Sequence, residues 1–223
     1  MSAAYILYAT LPAAGVFPLK EAAPGVGSVI NHVHSKAVAK SKSLLLSTLG
    51  RALLDHGLYK FFGTHLSGFE MEYNAFNKPR FRNSPIVFNI SHAVDIAVCV
   101  LSTNSGNIGI DIEKYVARTV ANFAPVFSGY EWQHIDTATD PEMSFYRYWV
   151  IKESVIKANG VGFDKMEMVQ VPGNAKAYIS DQEFHYIEIP VSDEYCCFLS
   201  SDKPLSYADI TIEKIDMDVS GWF

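Results

Sequence analysis

The chain has 223 residues with a formal net charge of −6; 49% are hydrophobic and 19% charged. This is the composition of a globular protein able to bury a core, which excludes a disordered chain. A mildly acidic chain has no bulk attraction for nucleic acid or anionic membrane, and no run nears the ~20 apolar residues of a membrane span, so neither partner is expected.

The N-terminus has no basic segment ahead of a long apolar one, so the stretch "AYILYAT" reads as a first strand and not a signal peptide. A Pro, Gly and Ala-rich loop is expected over 12–28. Residues 35–57 read as a helix, with Leu45, Leu49 and Leu53 at four-residue spacing and Gly57 as its stop. Residues 61–85 read as irregular. Strands follow at 85–91, 95–102 and 108–115, the last two separated by a turn, "TNSGN". A short helix is expected around 121–127 and another from "SGYEWQHI". Asp140 as N-cap, Pro141 in the first turn and "NG" at 159–160 then bound a helix of roughly 18 residues. Five short strands close the chain. The order strand, helix, strands occurs twice, so the expected fold is α+β in two similar halves, 1–104 and 105–223. Cys99, Cys196 and Cys197 form no disulfide or metal-binding pattern and read as buried thiols of a reducing, cytoplasmic compartment.

Three stretches carry chemistry. In "IGIDIEKY" (108–115), strand alternation puts Ile108, Ile110 and Ile112 on one face and Gly109, Asp111 and Glu113 on the other. Two carboxylates on one face repel unless a cation lies between them, and oxygen donors suit Mg²⁺ or Mn²⁺. In "YWVIKESVIKANG" (148–160), Trp149, Glu153 and Lys157 recur every four residues along one helix face, with Lys152 beside it. If Glu153 leans over the acidic strand, three carboxylates meet around one metal, and Lys157 stands a turn away to meet a phosphate. In "FNISHA" (88–93), Ser91 and His92 at a strand end could hold a phosphate by hydrogen bonds. Taken singly, each stretch is also explained by an ordinary solvated surface. P-loop, GxGxxG, HExxH and GxSxG patterns are missing from the sequence.

Taken in order, "NKP", "FNISHA", "GIDIEKY", "FSGYEW" and "WVIKESVIK" resemble the surfactin-type (Sfp-like) 4′-phosphopantetheinyl transferases, over about residues 35 to 160. The resemblance implies two α+β subdomains with coenzyme A in the cleft between them. It implies Mg²⁺ on the pyrophosphate and transfer of phosphopantetheine to a serine of an apo acyl, peptidyl or aryl carrier protein, with release of 3′,5′-ADP. It makes Asp111, Glu113 and Glu153 the metal ligands. Glu153 or a metal-bound water takes the serine proton, and Lys157 steadies the leaving oxygen with help from Lys152. Ser91, His92, Lys78 and, at the start of the first long helix, Lys42 and Ser43 become coenzyme A contacts. Trp149 becomes a packing residue, and Glu131 matches an acidic position without an assigned role. One chain builds the whole cleft, so a monomer is expected. Arg147 and the "KPRFR" cluster are candidates for carrier docking.

The sequence departs from the family pattern at Asn77, where a glycine is usual, and in the first long helix, where Lys36, Lys40 and Lys42 replace an arginine-rich run. The alternatives are a non-catalytic carrier-binding module of the same fold and a metal-dependent phosphodiesterase.

Overall fold

The computed structural model of the chain describes residues 4–11, 34–103, 106–117 and 119–216. The loop expected over 12–28 and the side chains of Lys36 and Lys40 lie outside the described residues. In chain order the elements are β1 (Ala4–Thr10), α1 (His34–Phe62), β2 (Met71–Tyr73), β3 (Pro79–Phe81), β4 (Val87–Ala93), β5 (Ile96–Ser102) and β6 (Ile108–Lys114). They continue with α2 (Gly129–Asp136), α3 (Pro141–Asn159), β7 (Val169–Gly173), β8 (Lys176–Ile179), β9 (Gln182–Glu188), β10 (Tyr195–Ser201) and β11 (Ile210–Lys214).

One sheet has the order β11-β1-β5-β4, and a second the order β6-β10-β9-β8-β7. Ile6, Val98 and Val100 of the first sheet share a buried core with Ile108, Ile110, Ile112 and Leu199 of the second. The outer face of the first sheet packs Leu7, Cys99 and Leu101 against Leu49, Leu53 and Leu58 of α1. The outer face of the second packs Phe184 and Phe198 against Phe145, Val150 and Val155 of α3. The layers therefore run helix, sheet, sheet, helix, an α+β fold built as the patterning required. All three cysteines are free and buried.

The structure corrects two expectations. First, α1 does not stop at Gly57. That residue sits where a side chain would strike Leu101 at 2.6 Å and Leu7 at 2.8 Å, so it is a packing glycine, and the helix runs on to Gly63 in the left-handed region (φ 67°). Second, the stretch expected to be irregular holds the β2–β3 hairpin, with Glu72 opposite Arg80. The expected division at 104/105 lies outside the described residues, and the last strand, β11, pairs in parallel with β1, Ile212 beside Ile6.

Candidate active site

Gly109 decides how closely α3 approaches β6. A Cβ there would lie 2.2 Å from the Ser154 carbonyl oxygen and 2.3 Å from the Ala158 nitrogen, so only glycine lets the helix backbone rest on the strand. The helix is fixed at both ends: Asp140 accepts from the Met143 N–H at 2.9 Å, and Gly160 closes the C-terminus in the left-handed region (φ 82°). Glu153 and Lys157, one turn apart, then overhang Asp111 and Glu113. A carboxylate oxygen from each of Asp111, Glu113 and Glu153 lies within 4.8 Å of the other two.

β4 supplies the other side. Ser91 is buried and its Oγ donates to Asp111 Oδ1 at 2.9 Å. Lys157 Nζ donates to Ser91 Oγ at 2.8 Å and to Asp111 Oδ1 at 2.6 Å. Asp111 is only 2% exposed, yet its Oδ2 has no hydrogen-bond partner. A buried carboxylate oxygen without a donor is costly unless a cation meets it. Burial, reinforced by the neighbouring charge of Asp111, pushes the Glu153 carboxyl up to about 9. Lys157 brings one positive charge to this cluster, and a hard divalent cation fits the donor set.

His92 stands at the open edge beside Ser91. Partial burial of the ring, then the charge of Lys157, lowers its pKa, so it is neutral at neutral pH. Lys42 and Ser43 are exposed. α1 crosses β4 with Gly50 on Ile90 and Gly57 on Leu101, the strand partner of Phe88.

Lys78 and Lys152 differ from expectation. Lys78 Nζ donates to Ile108 O at 3.2 Å and Ala158 O at 2.8 Å, and burial lowers its pKa to about 8. It also lines a cavity of about 510 Å³ with Asn74, Arg80, Asn107, Ile108 and Asn159. Lys152, expected to assist at a phosphate, points away from the carboxylates. It is 0% exposed and paired with Glu131 at 3.0 Å, with a second bond to the Val169 carbonyl. Burial lowers its pKa and Glu131 opposes the shift. Glu131 also closes the capping box with Ser128 and accepts from the Val171 N–H at 2.7 Å. The pair ties α2, α3 and β7 together, which gives Glu131 its role.

Trp149 packs against Phe123 and Phe145, as expected of a packing residue. The docking cations are already engaged: Arg147 with Glu188 at 2.6 Å, Arg80 with Glu72 at 2.7 Å, Arg82 with Glu70 at 2.7 Å. A larger cavity, about 940 Å³, is lined by Tyr8, Asp95, Tyr115, Arg147 and Glu188 among others, but by none of the three carboxylates. The three carboxylates, Ser91 and Lys157 gather instead where β4 and α3 meet β6.

In the sequence Asn89 stands with Ser91 and His92 at a strand end, where ligand contacts are common, without a role of its own. It is buried, and its Oδ1 accepts from the Ile110 N–H at 2.9 Å, the residue before Asp111. Its placement two residues before Ser91, hence on the same strand face, was the available signal.

Residues 107–205 match the model of the 4′-phosphopantetheinyl transferase superfamily. The chain is 30% identical over 166 residues to a 4′-phosphopantetheinyl transferase of Bacillus subtilis, covering 71% of this chain and 69% of that protein. It is 31% identical over 133 residues to the 4′-phosphopantetheinyl transferase HetI of Nostoc sp. (56% and 55%). To the 4′-phosphopantetheinyl transferase gsp of Aneurinibacillus migulanus it is 32% identical over 124 residues (54% and 51%). The match thus spans about half the length of HetI and of gsp.

Proposed function

The chain belongs to the 4′-phosphopantetheinyl transferase superfamily, and from that premise we propose that it moves the phosphopantetheine arm of coenzyme A onto a serine of an apo carrier protein, releasing 3′,5′-ADP. The observation that carries this reading is the meeting of Asp111, Glu113 and Glu153 within 4.8 Å around a buried oxygen, Asp111 Oδ2, that has no partner. These three would hold Mg²⁺, or Mn²⁺. Bound there, the ion supplies charge neutralisation for the pyrophosphate.

The chain's own groups do the rest. Lys157, half-buried between Ser91 and Asp111, offers its ammonium to the bridging oxygen that leaves with ADP. Ser91 and neutral His92 offer hydrogen bonds to phosphate oxygens, with Lys42 and Ser43 of α1 as further contacts. Glu153, its carboxyl pushed up to about 9 by burial, takes the proton of the incoming serine hydroxyl as the serine oxygen bonds to the phosphorus bearing pantetheine. The bond from that phosphorus to the bridging oxygen breaks in the same displacement. Trp149 keeps the helix face in place, and Lys152 acts through its buried pair with Glu131.

Among the described residues no helix is long and apolar enough to cross a membrane, and the proposed reaction belongs in the cytoplasm, where coenzyme A is available. Both sides of the site come from one chain, which suits a monomer. Mass spectrometry of apo acyl and peptidyl carrier proteins incubated with the protein, coenzyme A and Mg²⁺ tests the reading. A gain of one phosphopantetheine, lost with chelator or with Glu153→Gln, is the expected result. Free phosphopantetheine released without a carrier would identify a phosphodiesterase instead.

A further inference from the structure

β6 is the edge strand of its sheet: β10 pairs with one side, and the other side faces β4. The backbone groups on that open side must find partners, because an unpaired buried N–H or carbonyl costs about as much as a lost hydrogen bond. No strand provides them in the hydrogen-bonded order of the sheet. Two side chains do. The Ile110 N–H donates to Asn89 Oδ1 at 2.9 Å, and Lys78 Nζ donates to the Ile108 carbonyl at 3.2 Å.

Each of these side chains fixes a different neighbour. Asn89 and Ser91 project from the same face of β4, one onto the backbone of residue 110 and the other onto the side chain of residue 111. Asn89 thereby sets the register in which Ser91 meets Asp111. Lys78 divides its ammonium between β6 and the Ala158 carbonyl of α3 at 2.8 Å. Its loop is held to the same helix end by Asn74 Nδ2, which donates to the Gly160 carbonyl at 2.7 Å. Lys78 therefore ties the strand carrying Asp111 and Glu113, already in close contact at Gly109, to the helix carrying Glu153.

We propose that Asn89 and Lys78 are positioning residues for the metal-ligating carboxylates: together they fasten the open edge of β6 and fix where Asp111 meets Glu153. Neither needs to touch the metal to do so. This assigns Lys78 a role other than direct contact with coenzyme A, and it rests on the metal site proposed above.

Mn²⁺ binding, read from the spectrum of the free ion by electron paramagnetic resonance, tests the inference without any turnover. The variants are Asn89→Leu, similar in size with no acceptor, Asn89→Asp, which keeps one, and Lys78→Met. Asn89→Leu and Lys78→Met are expected to weaken Mn²⁺ binding at least tenfold in protein that retains its circular dichroism, and Asn89→Asp to bind at least as tightly as the unchanged chain. A merely structural role would lower the melting temperature and leave the affinity of the folded molecules unmoved. If Asn89→Leu does not fold, Lys78→Met decides, since it loosens the same edge from the other end. A Lys78→Met variant that binds Mn²⁺ normally and loses only coenzyme A affinity overturns the proposal for Lys78. Normal Mn²⁺ binding by a folded Asn89→Leu overturns it for Asn89. Absence of Mn²⁺ binding by the unchanged protein overturns the metal reading itself, and this inference with it.

Discussion

Lys157 and Asp111 are in contact at 2.6 Å, with side-chain exposures of 20% and 3%. The ammonium does for the buried carboxylate part of what a divalent cation would do.

Removing Lys157 leaves Asp111 and Glu153 facing each other with less positive charge nearby. Breaking one side of such a buried pair costs about 3 kcal/mol, the low end of the usual range because Lys157 keeps some solvent contact. Lys157→Met is therefore expected to lower the stability of the metal-free protein by that amount in urea titration. Mg²⁺ should restore most of it. A loss that Mg²⁺ leaves untouched would mean the carboxylates do not share one cation.

The raised Glu153 carboxyl predicts the pH dependence. Its folded value, about 9, lies above its ordinary 4.5, so between these values the folded state holds a proton the unfolded state has lost. The stability this group contributes is present below about pH 4.5 and falls as pH rises toward 9. A cation must displace that proton, so stabilisation by Mg²⁺ grows over the same window. Melting temperatures with and without Mg²⁺ should diverge from pH 6 to pH 9, and Glu153→Gln should flatten both the fall and the divergence.

Gly109→Ala is expected to be severe although it adds one methyl group. The atoms in its way, Ser154 O at 2.2 Å and Ala158 N at 2.3 Å, are backbone and cannot rotate aside. Overpacking typically costs 1–3 kcal/mol, and here about 3 kcal/mol is expected because α3 must lift from β6. The lift also separates Glu153 from Asp111. The variant should therefore lose Mn²⁺ binding as well as stability, and normal Mn²⁺ binding would show that the helix has another route to its place.

Lys152→Met separates two readings of one residue. As the partner of buried Glu131 it contributes to stability, and its removal should cost about 3 kcal/mol because Glu131 stays buried with less compensation. As a phosphate contact its removal would raise the KM for coenzyme A. The geometry predicts a lower melting temperature and an unchanged KM in the folded fraction, measured by carrier modification at varied coenzyme A.

Much of the site was legible because two periodicities are rigid. A strand alternates, so Asp111 and Glu113 had to share a face opposite Ile110 and Ile112. A helix repeats near four residues, so Glu153 and Lys157 had to align, and Asp140, Pro141 and Gly160 marked the ends. The same geometry explains why Lys152 pairs with Glu131 apart from Glu153 and Lys157. One residue along a helix turns the side chain by ~100°, so the neighbour of a site residue faces elsewhere. The β2–β3 hairpin was hidden because three-residue strands carry no period. Its loop is shaped by Asn74, whose Oδ1 accepts from the Phe76 and Lys78 N–H groups, and by Asn77 at positive φ (62°). The roles of Asn89 and Lys78 were illegible for another reason. Each bonds to backbone far along the chain, and a backbone group has no residue type to read.

The parallel pairing of β11 with β1 bears on how the chain folds during synthesis. The first sheet takes a strand from either end of the described residues, so it cannot be completed until residues 210–214 have left the ribosome. Until then β1 presents a bare row of amides and carbonyls on one side, where a strand from another nascent chain could pair. The second sheet, from β6 to β10, needs only contiguous sequence and can close first. A gene cut between the two halves would thus yield an N-terminal piece prone to aggregation and a C-terminal piece with a surplus strand. Co-expression should rescue both by handing that strand back.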